Sequence, residues 1–197
     1  MGRTMQTNKA NIIDNDFINA INNQGKLKRK HASDWNWYDK KVKEFWIVDS
    51  FLDPKNHIGI HDHVEFSIPE FDPPDALIYN ADGDEVSLEI VELVNRDAID
   101  SQIQDKPDYW EQCEKWTDLD YFESNLNKLI MKKNNKCTHL FDQKRNVQLL
   151  IHTDEMWIEA FYKEHFDAGI TIKKHDFTKI WLMLGYSTTK NHVQSFR

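Results

Sequence analysis

The eight-residue stretch Val86–Leu93 constrains the fold of this chain more than any other feature. It reads Val-Ser-Leu-Glu-Ile-Val-Glu-Leu and is apolar on both faces of a strand apart from Ser87 and two glutamates. Successive side chains of a strand point to opposite sides of its sheet, so a strand that is apolar on both faces needs a cover on both sides. We therefore predict a central strand in a sheet that is covered on both faces.

The predicted central strand is the second arm of a hairpin. The Asp82-Gly83 step separates it from an apolar run that begins at Asp75, and Asp-Gly is a strong hairpin signal. A turn at this step places Ala76 opposite Glu89 and Asp75 diagonal to it. A one-residue change of register places Asp75 directly across from Glu89. Both registers bring the two carboxylates close together at one end of an otherwise apolar hairpin.

The remaining helices and strands alternate along the chain. Residues 95–117 are polar and are predicted to be irregular apart from a helical turn near Tyr109–Trp116. Thr117 and Asp120 resemble a capping box that opens the following helix. The predicted elements are a helix from Ser33 or Asp34 to about Phe51, the strand Val64–Ile68, the hairpin, a helix to about Lys136, the strand Val147–His152, a helix from Thr153 to about Phe166, and the strand Ile180–Leu184. This order predicts an α/β fold with a mixed central sheet flanked by helices.

Length and composition indicate one domain. The chain has 197 residues, of which 40% are hydrophobic and 29% charged, a balance typical of a globular protein with a sizeable core. Residues 1–30 are rich in Asn and end in a basic cluster at 26–30. We therefore expect a polar N-terminal arm at 1–30, followed by a single domain at 31–197.

Cysteine content and hydropathy bear on where the protein resides. Only two cysteines are present, which is typical of a reducing compartment rather than a disulfide framework. No apolar run reaches the length of about 20 residues that spans a bilayer, and the first residues lack the apolar stretch of a signal peptide. We therefore expect a cytoplasmic protein that does not enter a membrane.

Charge and motifs narrow the classes of function. The net charge of −8 counts against a large nucleic-acid footprint, because non-specific binders are usually basic. It leaves room for an enzyme whose carboxylates are offset by a divalent cation. The chain has only 6 glycines and neither a phosphate-cradling glycine-rich loop nor a Gly-x-Ser-x-Gly elbow. P-loop nucleotide hydrolysis and serine hydrolase chemistry are therefore not expected.

Asp75 and Glu89 are the candidate chemical centre. A carboxylate on a covered central strand is costly unless it is paired or coordinated, and two neighbouring carboxylates raise each other's pKa. Mg²⁺ removes both penalties, since it binds one or two carboxylates together with waters and substrate phosphate oxygens. The alternative is structural, with Asp75 as a strand-start residue after two prolines and Glu89 paired with a lysine.

The spacing of these residues is similar to a known signature. Pro74-Asp75, thirteen intervening residues and then Glu89-Ile90-Val91 resemble the P-D…(D/E)-x-K motif of the restriction-endonuclease-like superfamily. The core of that superfamily is helix, three strands, helix, strand, which matches residues 34–152. The segment also resembles a group of bacterial proteins with Pro-Asp and then an apolar-Glu-x-x-Glu strand. The resemblance implies that Asp75 and Glu89 are metal ligands and that Glu44, on the first helix, is a further ligand or organises a water.

One position departs from the signature. Val91 stands where the motif has its lysine, on the same strand face as Glu89. Some members of the superfamily supply this lysine from the following helix. Lys128, Lys132 and Lys136 form one stripe on that helix here, and Lys132 is the predicted candidate. The alternative for this stripe is a solvated cationic face.

These observations predict a nuclease with Mg²⁺ or Mn²⁺ as cofactor and nucleic acid, DNA ahead of RNA, as substrate. The predicted catalytic residues are Asp75, Glu89 and Lys132, and the predicted metal ligands are Asp75, Glu89 and Glu44. The net charge and Val91 favour a second hypothesis, a catalytically inactive nuclease-like fold that serves as an interaction or immunity-type partner. Either protein could act as a homodimer or beside a partner subunit. A third hypothesis is a transition-metal site at His57, His61 and His63.

Overall fold

The computed structural model describes residues 40–53, 63–70, 73–80, 82–155, 158, 170–185 and 193–196. The predicted arm at 1–30 therefore lies outside the described residues. In chain order the elements are α1 (Lys40–Leu52), β1 (His63–Ser67), β2 (Ala76–Asn80), β3 (Glu85–Glu92), α2 (Arg96–Ile103), α3 (Tyr109–Lys115), α4 (Leu119–Lys136), α5 (Thr138–Asp142), β4 (Val147–Thr153), β5 (Lys179–Leu184) and β6 (Val193–Phe196).

The strands form one six-stranded sheet in sequence order, from β1 to β6. Neighbouring strands β1–β2, β2–β3 and β5–β6 are antiparallel, whereas β3–β4 and β4–β5 are parallel. The sheet is therefore mixed, as the order of the predicted elements indicated. The predicted central strand is β3, which pairs with β2 on one side and β4 on the other.

Helices cover both faces of the sheet because the buried strands alternate between two apolar clusters. On one face, Leu149 and Ile151 of β4 pack in a cluster with Phe122 and Leu126 of α4. On the other face, Leu150 belongs to a cluster that also contains Leu88 and Ile90 of β3 and Val48 and Phe51 of α1. Each large apolar side chain that is fully buried contributes about 1.5–3 kcal/mol, so these two clusters fix the layers of the fold.

Two predictions between β3 and β4 are corrected by the structure. The residues predicted as irregular contain α2, whose N-cap is Asn95: its side chain accepts from the backbone N–H of Ala98 at 3.0 Å. The cap of α4 is Asp118 rather than Thr117. The Asp118 carboxylate accepts from the Tyr121 N–H at 2.8 Å, whereas the Thr117 hydroxyl donates backwards to the carbonyl of Glu114. Both helices therefore begin with an Asn or Asp cap.

The C-terminal part is described incompletely. The helix predicted from Thr153 to Phe166 falls mostly outside the described residues, although Ile158 is helical and buried. β6 pairs antiparallel with β5 and was not predicted. Within the described ranges, no helix is long and apolar enough to cross a membrane.

Truncation of the central core side chain Leu149, which is 0% exposed, tests the layered arrangement. We expect Leu149→Ala to lower the free energy of unfolding by about 2–5 kcal/mol, because it leaves a cavity between β4 and α4. Ile103→Ala is the control, since Ile103 is 54% exposed and its loss should cost no more than about 0.5 kcal/mol. Urea unfolding followed by circular dichroism measures both. Equal losses in the two variants would contradict the assignment of the core.

Candidate active site

The hairpin register places the two predicted acids side by side. Ala76 pairs with Leu88 in the β2–β3 ladder, so the next position along it sets Asp75 across from Glu89. This is the second of the two registers considered from sequence. Asp75 is 3% exposed and Glu89 is 2% exposed. Two carboxylates are thus buried together at the end of a central hairpin.

A lysine from α4 joins the two carboxylates. The Lys133 Nζ donates to Asp75 Oδ2 at 3.0 Å and to Glu89 Oε2 at 2.8 Å. Its own side chain is largely buried, so the three charges share a site from which most water is excluded. Such a cluster is tolerated in a protein interior because each ion is paired and hydrogen-bonded.

The cation at this site is Lys133 rather than the predicted Lys132. An α-helix turns about 100° per residue, so adjacent lysines point in clearly different directions. Lys133 lies three residues after the buried Ile130 and faces the sheet, whereas Lys132 is exposed. Among the described residues, no hydrogen bond or ion pair joins Lys132 to either acid. The spacing from Ile130 is the sequence signal that could have identified Lys133.

Val91 occupies the position at which the signature has its lysine. Val91 packs against the cluster between the sheet and α4, on the same face of β3 as Glu89. The charge that a lysine there would bring reaches Glu89 from the following helix instead, through Lys133. The prediction of a lysine from that helix therefore has a geometric counterpart, displaced by one residue.

Glu44 joins the same cluster from α1. The Lys40 Nζ lies 3.0 Å from Glu44 Oε1 and 3.2 Å from Asp75 Oδ1, so it links the two carboxylates. Burial of Glu44, followed by the negative charge of Asp75, raises the pKa of Glu44 to about 7. All three predicted acids therefore meet in one place, which is enclosed by α1, the hairpin and α4.

Asp75 and Glu89 differ in their electrostatic environment. Burial acts to raise the pKa of Asp75, but Lys133 and the Ile90 N–H, which donates to Oδ2 at 2.7 Å, outweigh it and lower the pKa. Burial also raises the pKa of Glu89, and here Lys133 only opposes the shift. For Lys133, the two carboxylates outweigh burial and raise its pKa. Asp75 and Lys133 are therefore both charged at neutral pH.

Glu89 retains an uncommitted oxygen. Its Oε1 atom is buried and has no hydrogen-bond partner among the described residues, whereas Oε2 accepts from Lys133. The Cys137 thiol borders this carboxylate, and burial followed by the charge of Glu89 raises the pKa of Cys137 to about 12. The neighbouring thiol is thus protonated and faces the Glu89 carboxylate as a weak donor rather than as an anion. An orphaned, buried carboxylate oxygen is a place where a cation would be stabilised.

The donor set fits a hard divalent cation in part. Carboxylate oxygens from Asp75, Glu89 and Glu44 are the ligand type that Mg²⁺ prefers, and Mg²⁺ needs only one or two of them besides water and substrate oxygens. In the part of the chain that the structure describes, no group of three His, Cys, Asp or Glu side chains is arranged as a ready metal cage. A cation would therefore have to displace the Lys133 ammonium from at least one carboxylate.

The predicted transition-metal site receives no structural support. His57 and His61 lie outside the described residues, and His63 is described only as the first residue of β1. That hypothesis remains untested by the geometry.

Comparison with known proteins identifies no relative. No family model matches the chain, and neither a curated protein nor a solved structure matches it. A function for this chain is therefore inferred from the geometry and chemistry of this site.

Replacement of Lys133 tests whether it neutralises the buried acids. We expect Lys133→Met to lower the free energy of unfolding at pH 7 by about 3–5 kcal/mol, because it leaves two buried carboxylates without their shared cation. Lys132→Met, one residue away on the same helix, should change it by no more than about 0.5 kcal/mol. Urea unfolding of both variants decides the matter. A similar cost for the two substitutions would show that the ammonium group of Lys133 does not hold the acids.

The raised pKa of Glu44 predicts a pH-dependent stability. Between pH 4.5, its ordinary pKa, and about 7, the unfolded state has lost the proton that the folded state still holds. The free energy of unfolding of the wild type therefore decreases as pH rises through this window. Glu44→Gln has no titrating group at this position, so its free energy of unfolding lacks this decrease. We expect the stability of the variant relative to wild type to increase by up to about 3 kcal/mol across the window.

Thermal unfolding between pH 4 and pH 8 measures this difference. Glu114→Gln, on the exposed surface of α3, is the control and should follow wild type at every pH. A Glu44→Gln difference that stays constant with pH would contradict the environment described for Glu44.

Proposed function

We propose that this protein is a metal-dependent phosphodiesterase that acts on nucleic acid, built on a restriction-endonuclease-like core. The single observation that carries the proposal is the ammonium group of Lys133, which contacts both Asp75 and Glu89. Two carboxylates and a lysine are thereby assembled at one end of a hairpin, although the lysine of the linear signature is missing. A lysine paired with Glu89 is also what the structural alternative predicts, so the simultaneous contact with Asp75 is the part that supports the proposal.

The order of the elements supports the same proposal. α1 is followed by the antiparallel strands β1, β2 and β3, and then by α4 and by β4, which runs parallel to β3. This order supports a core of helix, three strands, helix and strand. In this chain, α2 and α3 precede α4 and α5 follows it. Glu89 lies on β3 and Asp75 directly precedes β2, which supports the proposal.

Each residue of the cluster has a role in such a reaction. Asp75 and Glu89 would hold Mg²⁺ or Mn²⁺, with Glu89 Oε1 as the uncommitted donor, and Glu44 would orient a water beside them. A bound divalent cation supplies an activated water and stabilises charge on the phosphate oxygens. Lys133 holds a positive charge at the point where the negative charge on phosphorus-bound oxygens increases during attack. Because the Lys133 side chain is largely buried, water does not screen its attraction to the negative charge, and the attraction is stronger.

Cleavage assays test the proposal. Plasmid DNA, single-stranded DNA and RNA are incubated with the protein in Mg²⁺, in Mn²⁺ and in EDTA. We expect cutting that requires the metal, with DNA as the first substrate to examine. Asp75→Asn and Glu89→Gln should lose at least about 100-fold in rate, and Lys133→Met a comparable factor, since each removes a charge at the reacting centre.

Glu85→Gln is the matched control for these variants. Glu85 lies on β3 like Glu89, but it is exposed at the other end of the strand and faces Arg145 at 3.7 Å. This variant should cut as fast as wild type, and circular dichroism should show every variant folded at the assay temperature. Cutting that persists in EDTA, or in both acid variants, would contradict the proposed site.

The second candidate is an interaction protein that keeps a nuclease-like fold without activity. The net charge of −8 and Val91 favour it, and Trp110 of α3 is an exposed aromatic side chain of the kind found at protein interfaces. Such a protein could act as a homodimer or beside a partner subunit. It would bind no divalent cation and cut none of the three substrates, so the same assays separate the two candidates.

A further inference from the structure

A cleft of about 460 Å³ opens directly beside the carboxylate cluster. We name it the α4 cleft; its walls are the end of β3 with the loop after it, the start of α2, and α4 from Tyr121 to Lys136. Lys133 lines the cleft and also contacts Asp75 and Glu89. A ligand in the cleft therefore contacts the lysine that pairs with both acids.

The α4 cleft is strongly positive in a protein whose net charge is −8. Besides Lys133, its walls carry the exposed cations Arg96, Lys128, Lys132 and Lys136. Its two carboxylates have partners: Glu92 lies 3.0 Å from the Lys43 Nζ, and Asp97 accepts from the Tyr121 hydroxyl at 3.2 Å. Local charge thus has the opposite sign to the charge of the whole chain.

The four exposed cations have no side-chain partner in the part of the chain that the structure describes. The side chains of Arg96, Lys128, Lys132 and Lys136 make no hydrogen bond or ion pair there, although Lys136 lies in the last turn of α4, where a cation is favourable. Like charges four residues apart on a helix destabilise it slightly, by about 0.2–0.5 kcal/mol for each pair. A concave wall lined by one sign of charge concentrates counter-ions and favours an anionic ligand. The arrangement therefore favours the binding of an anionic ligand.

The spacing of the cations suits a chain of phosphates. Lys128, Lys132 and Lys136 follow one another at intervals of about 6 Å along the helix axis, from a rise of 1.5 Å per residue. Grooves that carry a single strand combine such a positive track with apolar or aromatic surface for the bases. Here the half-buried residues Leu129 and Tyr121 supply the apolar and aromatic part of the lining.

The size of the cleft restricts the form of the nucleic acid. A volume of about 460 Å³ is that of a small-molecule site and has room for one or two nucleotides. A double helix is much wider than such a cleft and could meet only its rim. Resting on the proposed function, we propose that the α4 cleft binds the backbone of a single-stranded nucleic acid or a strand end, and so makes single strands the preferred substrate.

Binding without cleavage tests this substrate class. A labelled oligo-dT and a labelled oligo-U of about 12 nucleotides, and a DNA duplex of the same length, are titrated in EDTA and followed by fluorescence anisotropy. We expect the single strands to bind at least roughly tenfold more tightly than the duplex. Binding of dT, of U or of both supports the proposal, and the comparison identifies the sugar that the cleft accepts.

Charge reversal locates the binding to the cleft. Lys132→Glu/Lys136→Glu should weaken single-strand binding by roughly tenfold or more, and the slope of log K against log salt should become less steep by about 1.4 for two lost phosphate contacts. Lys106→Glu/Lys174→Glu is the matched control, since both lysines are exposed and lie outside the cleft. This control has the same net charge as the test variant.

Three binding results would overturn the proposal. They are no binding of either single strand, duplex binding at least as tight as single-strand binding, and equal weakening in the two double variants. The cutting assays distinguish failure of the cleft from failure of the proposed function. Charge-dependent binding without any metal-dependent cutting would support the α4 cleft as a binding site and contradict the proposed nuclease activity. Equally fast cutting of single strands by Lys132→Glu/Lys136→Glu and by the control would support the nuclease activity and contradict a role of the α4 cleft in binding the substrate.

Discussion

The ion cluster in which Lys133 joins Asp75 and Glu89 resolves the main electrostatic constraint on this fold, the burial of two neighbouring carboxylates. β3 is covered on both faces, so a carboxylate on it cannot reach bulk water and must be paired within the protein. One ammonium group satisfies Glu89 and the acid at the start of β2, and it comes from α4. The same contacts therefore link α4 to the hairpin and create the candidate active site.

The balance within this cluster also explains why it could exchange one cation for another. Lys133 offsets the charge of the two acids, but Glu89 Oε1 keeps an unused lone pair. Glu44, held to Asp75 through Lys40, adds a carboxylate whose pKa of about 7 leaves it partly protonated at neutral pH. A divalent cation would use these donors and release Lys133 towards the α4 cleft. Lysine and metal are thus alternative partners for the same oxygens.

The fold was predictable to the extent that strand alternation decides it. The apolar residues on both faces of β3 and the Asp82-Gly83 turn identified the hairpin. The sequence left two registers open, which differ by one residue, and the structure adopts the one that pairs Ala76 with Leu88. The sequence analysis chose Lys132 because it belongs to the stripe of lysines at every fourth position of α4. Packing of the apolar residues of α4 against the sheet decides which lysine faces the acids, and it selects Lys133. The helix α2 was missed because its sequence is mostly polar. It depends on the Asn95 cap and on burial of residues such as Ala98.

Net charge was informative only for the molecule as a whole. The value of −8 argued against nucleic acid, but four exposed cations line the α4 cleft, whose walls carry only two carboxylates. A crystal structure of the protein soaked in Mn²⁺, with an anomalous difference map, tests the central claim most directly. The account predicts a peak about 2.1 Å from oxygens of Asp75 and Glu89, with the Lys133 ammonium moved away from at least one of them. No peak there, with Lys133 still in contact with both carboxylates, would contradict it.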